Sequence, residues 1–419
     1  MQITIFASGS RGDVQPYVAL GQGLKKAGHG VRVLATQDFQ DLITAYDLDF
    51  VGSGGSSEAV ARSMQDLLER GKFLKILSQM GQASQQGARQ AAVSGLEACS
   101  GSDLIIGGFS GLAVGMALAE KLGIPFLPAY LLPFTPTGAF PSVLMPLPQL
   151  QLPGWANAAT HRLTQQVMWQ SFRAADNIAR ATVLHMEPAR FWGPFAGFRQ
   201  QQQTTLYAYS PHVVPSPPDW GGAIHVTGYW FLDPPAAWEP PPDLVAFLES
   251  GPPPIYVGFG SMSSSKPEEA ADLVLQALAR TGQRGVLYAG WGGLKKEQLP
   301  NNLFMVGSVP HTWLLPQMAA VVHHGGAGTT AASLRAGVPT IVTPFFADQP
   351  FWGQRVYALG VGPKPIPRKR LTTGLLAEAI NTAVTDQTMR ARAADLGERI
   401  RAENGVAQAV AVIEQNGGR

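Results

Sequence analysis

The chain has 419 residues, 45% of them hydrophobic and 14% charged, with a formal charge of +2. That length suffices for two ordinary α/β domains with cores of their own, and the composition excludes a disordered chain. The mild charge, and basic clusters as short and scattered as Lys25-Lys26, Lys295-Lys296 and Arg368-Lys369-Arg370, exclude nucleic acid as the partner.

The apolar run at 3–7 predicts the first strand. It has no basic flank and breaks into Gly-Ser-Arg-Gly-Asp, so it is not read as a signal peptide, and a cytoplasmic protein is expected. Val18, Leu20 and Leu24 then fall at helical spacing, Gly28 stops that helix, and 31–35 gives the next strand. Cys99 is the only cysteine, which excludes an internal disulfide and a cysteine metal site. Residues 103–106 and 125–129 read as buried strands joined by a glycine-rich helix. The longest apolar stretch, 104–119, is shorter than the ~20 residues of a membrane span. Such alternation implies a parallel sheet with helices on both faces.

From 136 to 153 the chain is proline-rich and apolar, and an amphipathic stretch at 156–180 carries Trp169 and Phe172. This exceeds what a doubly wound domain needs. It is either an insertion shaping an acceptor pocket or a packing appendage. Prolines crowd between 211 and 254 and mark a stiff connection. Further strands are predicted at 255–259, 285–288, 303–306, 321–323 and 340–343. The expected organisation is an N-terminal Rossmann-like domain at 1–215, a linker at 216–252 and a second Rossmann-like domain at 253–395. A helical segment at 396–419 is expected to pack back on the first domain.

Three segments carry chemistry. In 321–330 a strand ends in His323 and His324, and Gly325, Gly326, Ala327, Gly328 and Thr329 open a helix. Small residues at a helix start let an anion approach bare amides, and the helix dipole favours it there. This reads as a diphosphate seat to which His324 adds a hydrogen bond or a charge; the alternative is a tight turn around a core histidine. The Gly-Lys-Ser/Thr ending of a P-loop is absent. In 344–350, Asp348 and Gln349 stand side by side after a strand, suited to gripping hexose hydroxyls or to capping a helix. The first turn, Gly9-Ser10-Arg11-Gly12-Asp13-Val14-Gln15-Pro16, fails the dinucleotide spacing, which excludes a nicotinamide-dependent oxidoreductase. Ser10, Arg11 and Gly12 could reach phosphate oxygens, and Asp13 either meets a substrate or caps the helix.

Together these segments resemble the inverting GT-B-fold glycosyltransferases that use nucleotide diphosphate-sugars, and more narrowly the sterol 3β-glucosyltransferases and their bacterial relatives. The glycopeptide-antibiotic glycosyltransferases share the N-terminal motif. The carriers are Gly-Ser-Arg-Gly-Asp-Val-Gln-Pro-Tyr (9–17), Gly-Tyr-Trp-Phe (228–231), Gly-Ser-Met (260–262), His-His-Gly-Gly-Ala-Gly-Thr-Thr (323–330) and Asp-Gln-Pro-Phe-Trp-Gly (348–353). Pro-Ser-Pro-Pro-Asp-Trp (215–220) and the region of Asn157, Thr160, His161 and Trp169 add support.

The resemblance implies two Rossmann-like domains facing across a cleft, and inverting transfer of a hexose to a lipophilic hydroxyl. The expected donor is UDP-glucose and the expected acceptor the 3β-hydroxyl of a sterol. Ser261, His324 and the turn of Gly326, Ala327, Gly328 and Thr329 would bind the diphosphate, with Ser10 and Arg11 assisting. The backbone of Val309 would meet the uracil, and Asp348 and Gln349 the hexose. Asp13 would be the base, with no metal and no prosthetic group required. Phe109, Tyr130, Phe134, Phe140 and Phe346 are the candidates for the acceptor site. Two departures from the plant enzymes leave UDP and dTDP both open. Ala332 stands where a ribose-gripping glutamate belongs, and no stacking tryptophan is recognisable at 307–311, with Trp291 a candidate replacement. Peripheral membrane contact, if any, falls to the apolar 136–155 stretch. The open alternatives are a polyketide, macrolide or glycopeptide acceptor, and a non-catalytic nucleotide-sugar-binding protein.

Overall fold

The computed structural model of the chain describes residues 1–57, 59–60, 73–109, 111–145, 152–259, 267–288 and 299–416. They form two compact α/β units. The first holds the described residues of Met1–Met64, Phe73–Leu232 and Glu403–Arg419, and the second those of Asp233–Ala402.

In the first unit β1 (Gln2–Phe6), β2 (Gly30–Ala35), β3 (Asp49–Gly52), β4 (Leu104–Gly107), β5 (Phe126–Tyr130), β6 (Thr205–Tyr207) and β7 (Ile224–Val226) make one sheet. Its order among the described residues is β3-β2-β1-β4-β5-β6-β7, and every neighbouring pair is parallel. The helices that bear on the site are α1 (Arg11–Lys26), α2 (Phe73–Ala98), α3 (Leu112–Leu122) and α4 (Gly154–Ala179). In the second unit β8 (Ile255–Gly258), β9 (Gly285–Tyr288), β10 (Leu303–Val306), β11 (Ala320–His323) and β12 (Thr340–Val342) form a second parallel sheet, ordered β10-β9-β8-β11-β12. Its relevant helices are α5 (Ala327–Ala336) and α6 (Gln349–Ala358); α7 (Gly405–Asn416) returns to the first unit. The expected pair of parallel α/β sheets is therefore present. Among the described residues no helix is long and apolar enough to cross a membrane.

The central strands are apolar along their whole length, as burial on both faces requires. Ile3, Ile5, Val33, Leu104 and Ile106 are buried in one cluster with Val18, Leu20 and Leu24 of α1. Ala409, Val410 and Ile413 of α7 join the same cluster, and Val406 and Val410 pack where Gly23 of α1 carries no side chain. The second core gathers Ile255, Val257, Leu287, Val322 and Ile341 with Val274, Leu278 and Ile380.

The strand orders locate the chemistry. In the first sheet the chain lays down β1, β2 and β3 in one direction and then returns to place β4 on the other side of β1. The second sheet repeats the move, with β8, β9 and β10 one way and β11 on the far side of β8. Connections that diverge at such a point open a crevice beyond the carboxyl ends of the two strands, where ligands of open α/β sheets sit. The loop after β1 is the Gly-Ser-Arg-Gly-Asp turn, and the loop after β11 is the His-Gly-Gly turn.

Candidate active site

At the first crevice Ser10 is the N-cap of α1, and Asp13 is its third helical residue. The Ser10 amide and the Ser10 hydroxyl both donate to Asp13 Oδ2, each at 2.8 Å. Gly9 makes this turn possible: its φ is +125°, and a Cβ there would lie 2.6 Å from Asp13 Oδ2. Asp13 is exposed. Desolvation by the protein packed around it nevertheless raises its pKa above the ordinary carboxylate value, against the pull of the two Ser10 hydrogen bonds. One helical turn on, Tyr17 is buried and donates to the Ala129 carbonyl of β5 at 2.6 Å. Its ring meets Trp230 edge-on at 6.0 Å, and Trp230 Nε1 donates to Thr227 Oγ1. The 9–17 and 228–231 motifs are thus one structure, in which Tyr17 and Trp230 lock the helix start that carries Asp13. Arg11 is exposed and reaches Gln15, four residues along the helix.

Beyond β4, the strand next to β1, and β5 lies a small apolar pocket, partly open to solvent. Phe109, Leu112 and Ala113 form one wall, Phe134 and Phe195 a second, and Met168, Trp169 and Phe172 of α4 the third. Phe109 and Phe134, expected on the acceptor side, meet edge-on at 4.7 Å. Tyr130 backs the pocket through Phe134 at 5.3 Å, whereas Phe140 packs against His161 and is not among the lining side chains. Leu112, Ala113, Met168 and Phe195 went unforeseen, because each is one apolar residue among many and only the tertiary fold brings them together.

The segment carrying Phe134 is fixed from two sides, which explains the weaker motifs. Asp219 accepts from Thr137 Oγ1 at 2.6 Å and from the Gly138 amide at 2.7 Å. Trp220 stacks on Tyr207 with ring centroids 4.8 Å apart, and the Tyr207 hydroxyl accepts from the Thr135 amide. From α4, Asn157 Nδ2 donates to the Gly138 carbonyl, Thr160 Oγ1 accepts from the Ser142 amide, and His161 Nε2 donates to the Phe140 carbonyl. The described part of the apolar stretch expected to touch a membrane is therefore pinned to the protein. Asp219→Ala should destabilise the first unit by about 1–2 kcal/mol, the low end for charged hydrogen bonds because Asp219 is exposed. Denaturant unfolding monitored by tryptophan fluorescence measures it, and an unchanged midpoint would remove Asp219 from this role.

At the second crevice the two histidines part company, as successive residues at a strand end must. His323 is fully buried; its Nδ1 accepts from the Gly325 amide at 2.9 Å, which leaves the proton on Nε2, 3.5 Å from Ser333 Oγ. It is the core histidine of the turn, held neutral by burial. Gly325 has φ +91°, and a Cβ on it would meet Val342 Cγ1 at 2.6 Å. His324 lies across the start of α5: a Cβ on Gly326 would be 2.5 Å from its Nε2. Its Nδ1 is buried without a hydrogen-bond partner. Burial, and then the nearby His311, lower its pKa to about 4, so the free protein presents a neutral imidazole. Ala327, Gly328 and Thr329 contribute first-turn amides with no carbonyl inside the helix to bond, and the first turn of α5 holds no acidic residue. First-turn amides, a helix dipole and the His324 ring beside Gly326 make the start of α5 suited to an anion.

Asp348 is the N-cap of α6, and its Oδ2 accepts from Trp352 Nε1 at 2.7 Å. Gln349 is buried, and its Oε1 accepts from the Phe345 and Phe346 amides at 2.8 and 3.3 Å. The glutamine therefore braces the loop after β12, where Ala347 takes a φ of +53°, and what it can offer a hydroxyl is its amide nitrogen. Phe346 stands on this loop, in the second unit. Val309 follows β10 and is half-buried. Ser261 and Trp291 lie outside the described residues.

Comparison with known proteins agrees with this architecture. Residues 3–141 match the Glycosyltransferase family 28 N-terminal domain, and residues 289–414 match the Erythromycin biosynthesis protein CIII-like, C-terminal domain. The chain is 37% identical to the sterol 3-beta-glucosyltransferases UGT80A2 and UGT80B1 of Arabidopsis thaliana, over 98% of its own length in each case. It spans 64% of the first and 67% of the second. A sterol 3-beta-glucosyltransferase of Cryptococcus neoformans is also 37% identical over 99% of this chain, which spans 27% of that protein. Among solved structures the glycotransferase of kitacinnamycin superposes with a TM-score of 0.68 at 19% identity, covering 99% of this chain and 98% of that one. The calicheamicin glycosyltransferase CalG4 superposes at 0.66 and 18% identity, covering 99% and 97%. With 37% identity carried across nearly its whole length, the chain belongs to the family of the sterol 3-beta-glucosyltransferases and has the GT-B glycosyltransferase fold.

Proposed function

We propose that this chain transfers glucose from UDP-glucose to the 3β-hydroxyl of a sterol, with inversion at the anomeric carbon. The observation that carries the reading is the start of α5, where the first-turn amides of Ala327, Gly328 and Thr329 have no helical acceptor and the His324 ring lies against Gly326 with its Nε2 toward the turn. The apolar pocket in the same unit, at the ends of strands neighbouring β1, supports the lipophilic acceptor.

In the proposed reaction both Ser10 hydrogen bonds go to Asp13 Oδ2, so Oδ1 takes the proton of the acceptor hydroxyl. As that proton leaves, the acceptor oxygen forms its bond to the anomeric carbon, and the bond from that carbon to the β-phosphate oxygen breaks. The electron pair departs with the nucleotide diphosphate. Charge grows on the leaving phosphate, and donors fixed in advance around it favour the transition state over the ground state. Asp348 and the Gln349 amide nitrogen hold the hexose, and Val309 meets the base. Excess EDTA should leave the rate intact, because the helix start and His324 meet the diphosphate charge; a strict metal requirement would overturn that assignment. The protein works in the cytoplasm and meets its lipophilic acceptor at a membrane surface.

The test is UDP release by purified protein supplied with UDP-glucose and a panel of cholesterol, a plant sterol and a macrolide. Sterol-dependent release that is lost in Asp13→Asn supports donor, acceptor and base together. Release with the macrolide alone keeps the mechanism and replaces the acceptor. Turnover only with a dTDP-sugar would reassign the donor, a point on which Ala332, in place of a ribose-binding glutamate, bears directly.

A further inference from the structure

The loop that closes the acceptor pocket has two faces. Phe195 turns inward to line the pocket, while Phe191 and Trp192 stand in water, 53% and 73% exposed. Their exposure is enforced by a backbone fastened to α4. Trp169 Nε1 donates to the Arg190 carbonyl, Gln166 and Gln170 both donate to the Phe191 carbonyl, and Arg173 Nε donates to the Ala189 carbonyl. Gly193, with φ +69°, sits flat against the Trp169 ring.

By the helical period the outward stripe of α4 that meets this loop also carries Trp155, 77% exposed, and Leu163, 55% exposed. Arg162 of the same helix, Arg190 next to Phe191 in the chain, and Arg199 are exposed, and Arg173 lies over the Phe191 ring at 5.6 Å. Glu187 is the exposed acid of the same stretch, since Asp176 is buried in its ion pair with Arg180. A held-open cluster of large apolar side chains marks a surface made for a partner. Tryptophan and phenylalanine within a rim of arginine match the boundary of a bilayer, where rings settle at the headgroups and guanidinium groups meet anionic lipid.

We propose that Trp155, Leu163, Phe191 and Trp192, with Arg162 and Arg190 at their rim, form the surface by which this protein docks on an anionic lipid membrane. The surface differs from the pinned 136–145 segment and lies on the outer side of the helix and loop that line the pocket. A lipid-dissolved acceptor would then enter from the docked side. That purpose rests on the proposed acceptor class; the docking itself does not.

Vesicle flotation without donor or acceptor keeps the two apart. Wild-type protein should float with mixed phosphatidylcholine–phosphatidylglycerol vesicles and bind phosphatidylcholine alone at least about tenfold more weakly. Phe191→Ser with Trp192→Ser should lower partitioning about tenfold or more while leaving the thermal midpoint unchanged. Arg162→Gln with Arg190→Gln should abolish the preference for anionic lipid and flatten its salt dependence. Failure of the wild type to float with either vesicle, or equal flotation of the aromatic variant, overturns the proposal. So does a wild-type dimer in light scattering that the aromatic variant dissociates, which would make the occupant a second copy of the chain.

Discussion

Asp13→Asn should lower kcat by about 10²–10⁴-fold and leave the affinity for the nucleotide sugar unchanged, the loss expected if Asp13 is a positioned base. The substitution separates the two things Asp13 can do. Asparagine keeps an oxygen where the Ser10 amide donates, so the turn after β1 and the start of α1 survive. It cannot accept a proton. If Asp13 only capped the helix, the variant would turn over at nearly the wild-type rate, and that result would remove it from the reaction.

The pH profile gives a second readout. Desolvation sets the Asp13 pKa above the ordinary carboxylate value, and a base works only when deprotonated, so kcat should fall as pH drops through that raised value. Ser10→Ala removes a hydrogen bond that lowers the pKa. The acid limb should therefore move to higher pH, with little change on the plateau.

Much of this was legible because the sequence places small residues where a backbone must do something unusual. Gly9 and Gly325 sit at positive φ at the ends of β1 and β11, and those ends are the points where each sheet reverses direction. Turn chemistry and topology coincide, so the motifs point to the crevices before any coordinates exist. What sequence alone could not separate is function that differs between neighbours. His323 and His324 are adjacent and identical in type; only the alternation of a strand sends one to Ser333 and leaves the other across the helix start. Gln349 reads as a sugar ligand, yet its carbonyl is used by two loop amides.

The short strands β3 (Asp49–Gly52), β6 (Thr205–Tyr207) and β7 (Ile224–Val226) were also hidden, since each sets a polar residue among too few apolar ones to stand out as a run. The proline-rich connection gave no sharper boundary. Trp230 stays packed in the first unit through Tyr17 and Thr227, and the division falls between Leu232 and Asp233.

His324→Ala should lower kcat by about 10²–10³-fold, the range for losing one fixed donor to a developing oxyanion. The imidazole is neutral in the free protein, with a pKa near 4, so no limb from its titration should cross the neutral range of kcat/KM. If the histidine acted as a permanent cation, activity would instead already have collapsed on passing that value upward. Gly326→Ala tests the same group from the other side. Its methyl would stand 2.5 Å from His324 Nε2, so the ring must leave the helix start even though its chemistry is untouched. A loss comparable to that of His324→Ala is expected. The double variant should be no worse than His324→Ala alone, because the two changes remove one interaction and cannot add. Additive losses would mean that the glycine serves the phosphate through close backbone approach and the histidine separately. Full activity in both single variants would leave the amides of α5 as the sole anion donors and strip His324 of its part.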